Sequence, residues 1–422
     1  MKIAAPADGG VFAARAMMLG VVVSMLLSTS VSVVLEFATY LVFMLAPAPR
    51  HRLIGVMRHS LIIVLLPLAA VIAIATLYGA ASWADELRSL FAWRRLLLLP
   101  LAAAVFDDVG SKRLVLKVLV ITCLVGALAS FVTAAADISL TQHMVPGIIF
   151  RNYATHGLTC SVAAIVCIAA MFRPEYLSGD WLLGNRRAVT AILAVLVVDI
   201  VFVLPGRTGY LSVVVMSVAT VVFLAKGTWR AKALAGLAIL LCSAAILAAS
   251  AHVRGRVAQA LTEIETVDRT PAGTRLGQRV VMWRNTVRMI RDHPVFGVGT
   301  GGFQDGYRPY VQGVAGWQGH ETGDPHNQFL KIQGEQGIIG LAAFLFFIYG
   351  ALRVPALAPY RQLAAAALIG WCATSLANSD FSTHVEGRLI FFWLGAMLGG
   401  GVPTGENQMV AAGGSISGVR RQ

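Results

Sequence analysis

The stretch "GDPHNQFLKIQGEQGIIGLAAFLFFIYG", residues 323–350, decides how the chain is read. Its second half is apolar enough for hydrocarbon. Its first half carries a His–Asn pair, a lysine and a glutamate. Asp324 reads as a helix N-cap and Pro325 as the first helical residue. His326 and Asn327 then occupy the first turn of a helix that enters a membrane. The positive end of the helix dipole disfavours an imidazolium there, and a neutral imidazole is what a general base requires. The free N–H groups of the same turn favour an anion. Asn327, Lys331 and Glu335 are four apart and form a polar stripe into the bilayer, where ionisable groups face a bundle interior or a wet cavity. Lys331 and Glu335 read as an i,i+4 pair. Taken by itself, a histidine at a membrane interface is more often a cap or hydrogen-bonding residue than a base.

The rest of the chain extends this picture. Of 422 residues, 57% are hydrophobic and 13% charged, against about a quarter charged in a soluble domain. Apolar runs of spanning length recur from end to end. They predict an all-α polytopic membrane protein with about twelve transmembrane helices. The predicted positions are 14–30, 31–47, 60–79, 95–107, 114–136, 154–172, 188–205, 209–225, 233–250, 328–352, 363–378 and 388–403. Residues 1–422 read as a single membrane-embedded domain, with the first run as an uncleaved helix. The net charge of +13 comes with no nucleic-acid module, so it points to membrane topology and anionic partners. Cys123, Cys160, Cys167, Cys242 and Cys372 all lie in apolar runs and read as packing residues, with neither a disulfide nor a zinc pattern.

Lys and Arg set the orientation. With the N-terminus inside, every short inside loop carries basic residues, among them Arg50, Arg52, Lys112, Arg113, Arg186 and Arg187. One outside segment, 251–327, is long and rich in arginine, and long translocated loops escape the charge rule. Within it, Leu276, Val280, Trp283, Val287 and Ile290 form one apolar stripe of a helix capped by Thr274 and stopped by Pro294. Arg275 and Arg279 lie on one shoulder of that stripe. A helix lying on the membrane with snorkelling arginines fits this pattern. So does a pocket wall for a phosphorylated lipid, because guanidinium binds phosphate oxygens in bidentate fashion.

"GVGTGG", residues 297–302, matches G-x-G-x-x-G but follows a helix rather than a strand, so it reads as a turn and not a nucleotide site. Arg207 stands in a very short outside turn, either as a head-group anchor or as a phosphate ligand. Asp199, in the preceding span, reads as an internal ion-pair partner. Asp380, His384, Glu386 and Arg388 in "NSDFSTHVEGR" read as a solvated loop.

The ordered set of Arg207 after a span, Arg279 in an "R…W" helix, "HPVFGVGTGGF", "PHNQFL" and "EQGIIG" resembles the O-antigen ligase and polymerase superfamily of Gram-negative inner membranes. The resemblance covers roughly residues 200–350. It implies a glycosyltransferase of the GT-C type whose donor is a glycan on undecaprenyl pyrophosphate. Length, one dominant periplasmic loop and basicity look most like the ligase, whose acceptor is lipid A–core. By this likeness His326 is the base, and Arg207 and Arg279 contact the pyrophosphate. From their own placement, Arg275 beside Arg279 and Asn327 beside His326 are further candidate binding residues. Guanidinium groups then replace a metal, and neither nucleotide nor other cofactor is required. The alternatives are an O-antigen polymerase, a protein O-oligosaccharyltransferase and a non-enzymatic lipid or solute transporter.

Overall fold

A computed structural model of the chain describes residues 9–79, 81–140, 145–204, 206–265 and 274–400. Among these described residues there are eighteen α-helices and no strand. In chain order these are α1 (Gly9–Leu27), α2 (Thr29–Leu45), α3 (Pro47–Val56), α4 (Ser60–Ile74), α5 (Trp83–Ala92), α6 (Leu98–Val105), α7 (Val109–Ala135), α8 (Tyr153–Phe172) and α9 (Pro174–Leu177). Then follow α10 (Arg186–Val198), α11 (Arg207–Leu224), α12 (Trp229–Ala249), α13 (Ala251–Glu265), α14 (Arg275–Asp292), α15 (Phe303–Tyr307), α16 (Gln328–Arg353), α17 (Tyr360–Thr374) and α18 (Val385–Leu398).

Each of the twelve predicted span positions contains helix, but among the described residues six helices are long and apolar enough to cross a membrane unaided: α1, α7, α8, α11, α12 and α16. A seventh arises if α2 and α3 count as one span bent by 92°. Pro47 sits at that bend, where a helix cannot continue through the ring. The other predicted spans are shorter helices, and α10 is extended by a π-turn at Asp199–Val203.

Burial arranges these helices around α8, whose spanning window is 89% buried. It packs on α7, α10 and α11, and α11 carries α17 and α12 on its other faces. α12 is the opposite case, with only 6% of its window buried. A helix apolar on all sides and covered by so little protein needs lipid around it.

Polar contacts define two ends. At one end Arg15 and Arg52 meet Asp107 and Asp108. Nearby Lys112 donates to the carbonyls of Ala396, Met397 and Gly399, closing the C-terminus of α18. The N-terminus of α18 lies at the other end, against the segment that holds His326. Residues predicted to face inside are therefore at the far end of α18 from that histidine.

The last polar loop departs from expectation. Asp380, Glu386 and Arg388 are buried rather than solvated. Arg388 donates to Glu36 Oε2 from Nε (3.0 Å) and Nη2 (2.7 Å), with Tyr40 and Arg94 completing the surroundings of Glu36. The sequence between Asn378 and Arg388 is polar because it wraps the start of α16 and ties it to α2, not because it meets water.

Candidate functional site

The site is built on the turn that precedes α16. The structure corrects the predicted start of that helix. Its N-cap is Asn327, whose Oδ1 accepts from Leu330 N (3.1 Å), and the first helical residue is Gln328. Asp324 caps a different turn: its Oδ1 accepts from His326 N (2.7 Å). His326 takes a left-handed conformation, φ 52°, uncommon for a residue with a side chain and sustained here by that local cap. His326 therefore stands just outside the helix, not in its first turn.

Asp324 is the centre of the turn. Besides His326 N it accepts from Ser379 Oγ (2.6 Å) and Lys331 Nζ (3.0 Å). Burial pushes its carboxyl up, but Lys331, Ser379 and the His326 N–H outweigh it and hold the group below the usual range. Lys331 thus pairs with Asp324 and not with Glu335, which is buried and accepts from Gln336 Nε2 at 3.2 Å. His326 is an exposed residue. Its remaining surface is crowded by protein, and this desolvation lowers its pKa. Asp324 opposes the shift, and the charges of Arg279 and Lys331 add to it. Burial and neighbouring cations, rather than a helix dipole, are what lower the pKa of this imidazole.

Arg279 comes from α14, which Thr274 caps through Gly277 N (3.1 Å), as its sequence predicts. The buried face of this helix is rotated from the predicted stripe. Met289, Asn285 and Thr286, off the stripe, are buried together with Ile290, while Val287 of the stripe is exposed. The reason is a small core formed by Met289, Val298, Phe303, Tyr307 and Val311, which supplies an apolar partner the helix itself does not reveal. Trp283 Nε1 donates to Pro325 O (2.8 Å), so α14 grips the turn directly ahead of His326.

Arg207 opens α11 and pairs with Glu263 at 3.7 Å, not with Asp199. Glu263 also accepts from Leu276 N (3.2 Å), linking Arg207 to the start of α14. Of the residues predicted to act together, Arg279 and His326 are electrostatic neighbours. Arg207 is linked to them through Glu263 and the start of α14. The side chain of Arg275 lies outside the described residues. Asn327 donates to Leu376 O (2.9 Å) and serves the turn structurally.

Asp199 belongs to a separate buried group. Its Oδ2 lies 3.3 Å from His156 Nε2, and Cys160 stands beside them, with all ligand atoms within 4.8 Å of one another. This is the described residues' nearest approach to a metal cage. However, Ile149 N–H is directed at His156 Nδ1 (3.4 Å), which assigns the proton of a neutral ring to Nε2. The nitrogen facing Asp199 then offers a proton, not a lone pair, and the geometry is that of a buried His–Asp pair.

The "GVGTGG" segment is a strap across a break in α16. Gly337 (φ 64°, ψ −162°) interrupts the helix. The carbonyls of Gly334 and Glu335 accept instead from Val298 N (3.0 Å) and Gly299 N (2.8 Å), while Ile338 N donates to Pro294 O (3.0 Å). Thr300 ties the strap to the end of α4 through Ile72 O (2.8 Å).

A bundle of lipid-length helices with a histidine, a carboxylate and two arginine-bearing helices gathered at one end defines a multi-pass membrane protein with a polar site at its surface. Residues 192–345 match the family model described as O-Antigen ligase, which supports the likeness to the O-antigen ligase and polymerase superfamily over that segment. No curated protein matches the chain. The matched segment contains Arg207, Arg279 and His326.

Proposed function

We propose that the protein is an O-antigen ligase of the bacterial inner membrane, of the GT-C type. It would move a glycan from undecaprenyl pyrophosphate to lipid A–core at the periplasmic face. The observation that carries this reading is that the Arg279 helix holds the turn ahead of His326, with Trp283 Nε1 donating to Pro325 O (2.8 Å) and Arg279 Nη2 to Asn378 Oδ1 (3.3 Å). In this reading His326 is the base and Arg279 the anion-binding cation beside it.

The reaction is a one-step inverting displacement. His326 removes the proton from an acceptor sugar hydroxyl, and that oxygen forms a bond to the anomeric carbon of the donor. The bond from that carbon to the pyrophosphate oxygen breaks, and undecaprenyl pyrophosphate leaves with the electron pair. Arg279 and Arg207 stabilise the charge that grows on the leaving group, which is where fixed donors contribute most. Basic residues at the far end of α18 support an inside orientation for that end by the positive-inside rule, and hence a periplasmic His326.

The test is transfer by purified protein in lipid. His326→Ala should abolish transfer and leave donor binding intact, and Arg279→Lys should fail because lysine lacks the bidentate fork. Turnover retained in His326→Ala would remove the base. In a deletion strain, loss of every lipopolysaccharide rung supports the ligase, and survival of a single-unit rung indicates a polymerase.

A further inference from the structure

Asn378 has no part in the chemistry above, yet it touches every element that carries it. Its Oδ1 accepts from Arg279 Nη2 (3.3 Å). Its Nδ2 donates to Thr208 Oγ1 (3.3 Å), the residue after Arg207. Its carbonyl accepts from Gln328 N (3.0 Å), the first helical residue after the His326 turn. Three stretches far apart in sequence, α11, α14 and the start of α16, are joined by one side chain and its own backbone. An amide is suited to this role because it accepts at one end and donates at the other in a fixed plane. A carboxylate cannot donate to Thr208, and a hydroxyl cannot span both partners.

We propose that Asn378 is a positioning residue that sets the separation of Arg207 and Arg279, and so the width of the clamp for a lipid-linked pyrophosphate. The inference rests on the ligase reading for the identity of the ligand. Its own content is geometric: Arg279 is held toward the first turn of α11, and the His326 turn is registered against both arginines. Thr208 shares this function at second hand. Because Asn378 acts through Arg279 and Thr208, removing either contact should produce the same defect, and removing both should add little. A carboxylate at this position should be worse than a truncation, since it would hold the guanidinium and repel the anionic ligand.

The experiment measures binding of undecaprenyl pyrophosphate, without glycan, to full-length protein in nanodiscs, beside kcat and KM for transfer. Asn378→Ala should weaken binding about tenfold, the scale of a lost hydrogen bond to a charged group. Thr208→Val should weaken it by a similar factor, and the double variant should fall no further than the weaker single one. Asn378→Asp should bind worst. Should Asn378→Ala not yield folded protein, Thr208→Val carries the test, because it removes the Asn378–Thr208 arm of the link by an isosteric change. Wild-type protein that does not bind the pyrophosphate overturns the ligase reading and this inference together. Wild-type binding that is unchanged in Thr208→Val or Asn378→Ala, or fully additive losses in the double variant, overturns this inference alone.

Discussion

Lys331 reaches back seven residues to Asp324, with Nζ 3.0 Å from Oδ2. A helix does not bring residues that far apart into contact along one face as neighbours. The pair forms because the chain folds back through the left-handed His326, so this ion pair and the placement of the imidazole are one structural event.

That relationship makes the pH profile adjustable in two directions. The His326 pKa lies below its ordinary value, so the basic form persists as pH falls past the usual imidazole range. Activity should be lost only on passing the lowered value. Lys331→Met removes a cation that depresses this pKa and should move the acid limb of kcat/KM upward. Asp324→Asn removes the group that opposes the depression and should move the limb downward. A pH profile of each variant gives the sign. Shifts in the same direction would contradict the assigned electrostatics.

Trp283→Phe keeps an aromatic ring and removes the donor to Pro325 O. One neutral hydrogen bond contributes about 1 kcal/mol, so transfer should fall roughly fivefold if that energy fixes the His326 turn. Thermal unfolding in detergent should shift little. A large loss of stability with unchanged kcat would assign Trp283 to packing alone.

Glu36 and Arg388 form an ion pair that is 0% and 1% exposed. Removing one member of a buried pair costs about 3–5 kcal/mol, because a buried charge is left without its partner. Glu36→Leu should sharply lower the unfolding temperature. The double change Glu36→Leu with Arg388→Met should recover much of the loss, which unfolding of the three proteins side by side would establish.

A methyl group at Gly337 would lie 2.0 Å from Val295 O, and one at Gly299 would lie 2.2 Å from Gly79 Cα. Both glycines have positive φ. Gly299→Ala should therefore destabilise by at least about 1–3 kcal/mol, read as a lower unfolding temperature. A neutral outcome would mean the strap is looser than its hydrogen bonds require.

The helical membrane class was legible because apolar content and period persist along the whole chain. The cap of the Arg279 helix was legible because Thr274 stands directly before it. The start of α16 was misread for a physical reason. Asp324 and Asn327 are three apart, both good caps, and the choice between them depends on Ser379 and Lys331 competing for Asp324. The buried state of Asp380 and Arg388 was hidden because polarity in a short loop resembles solvation until its partner, Glu36 on α2, is known. Asn378 gave no local signal, since its meaning lies in three residues distant in sequence.

The strap across Gly337 also makes one helix depend on a segment outside it. In hydrocarbon, the bare carbonyls of Gly334 and Glu335 would have no water to turn to. Their donors come from Val298 and Gly299, well before α16 in the chain. A break that would be costly in an isolated span is tolerated here because a distant stretch of backbone completes it.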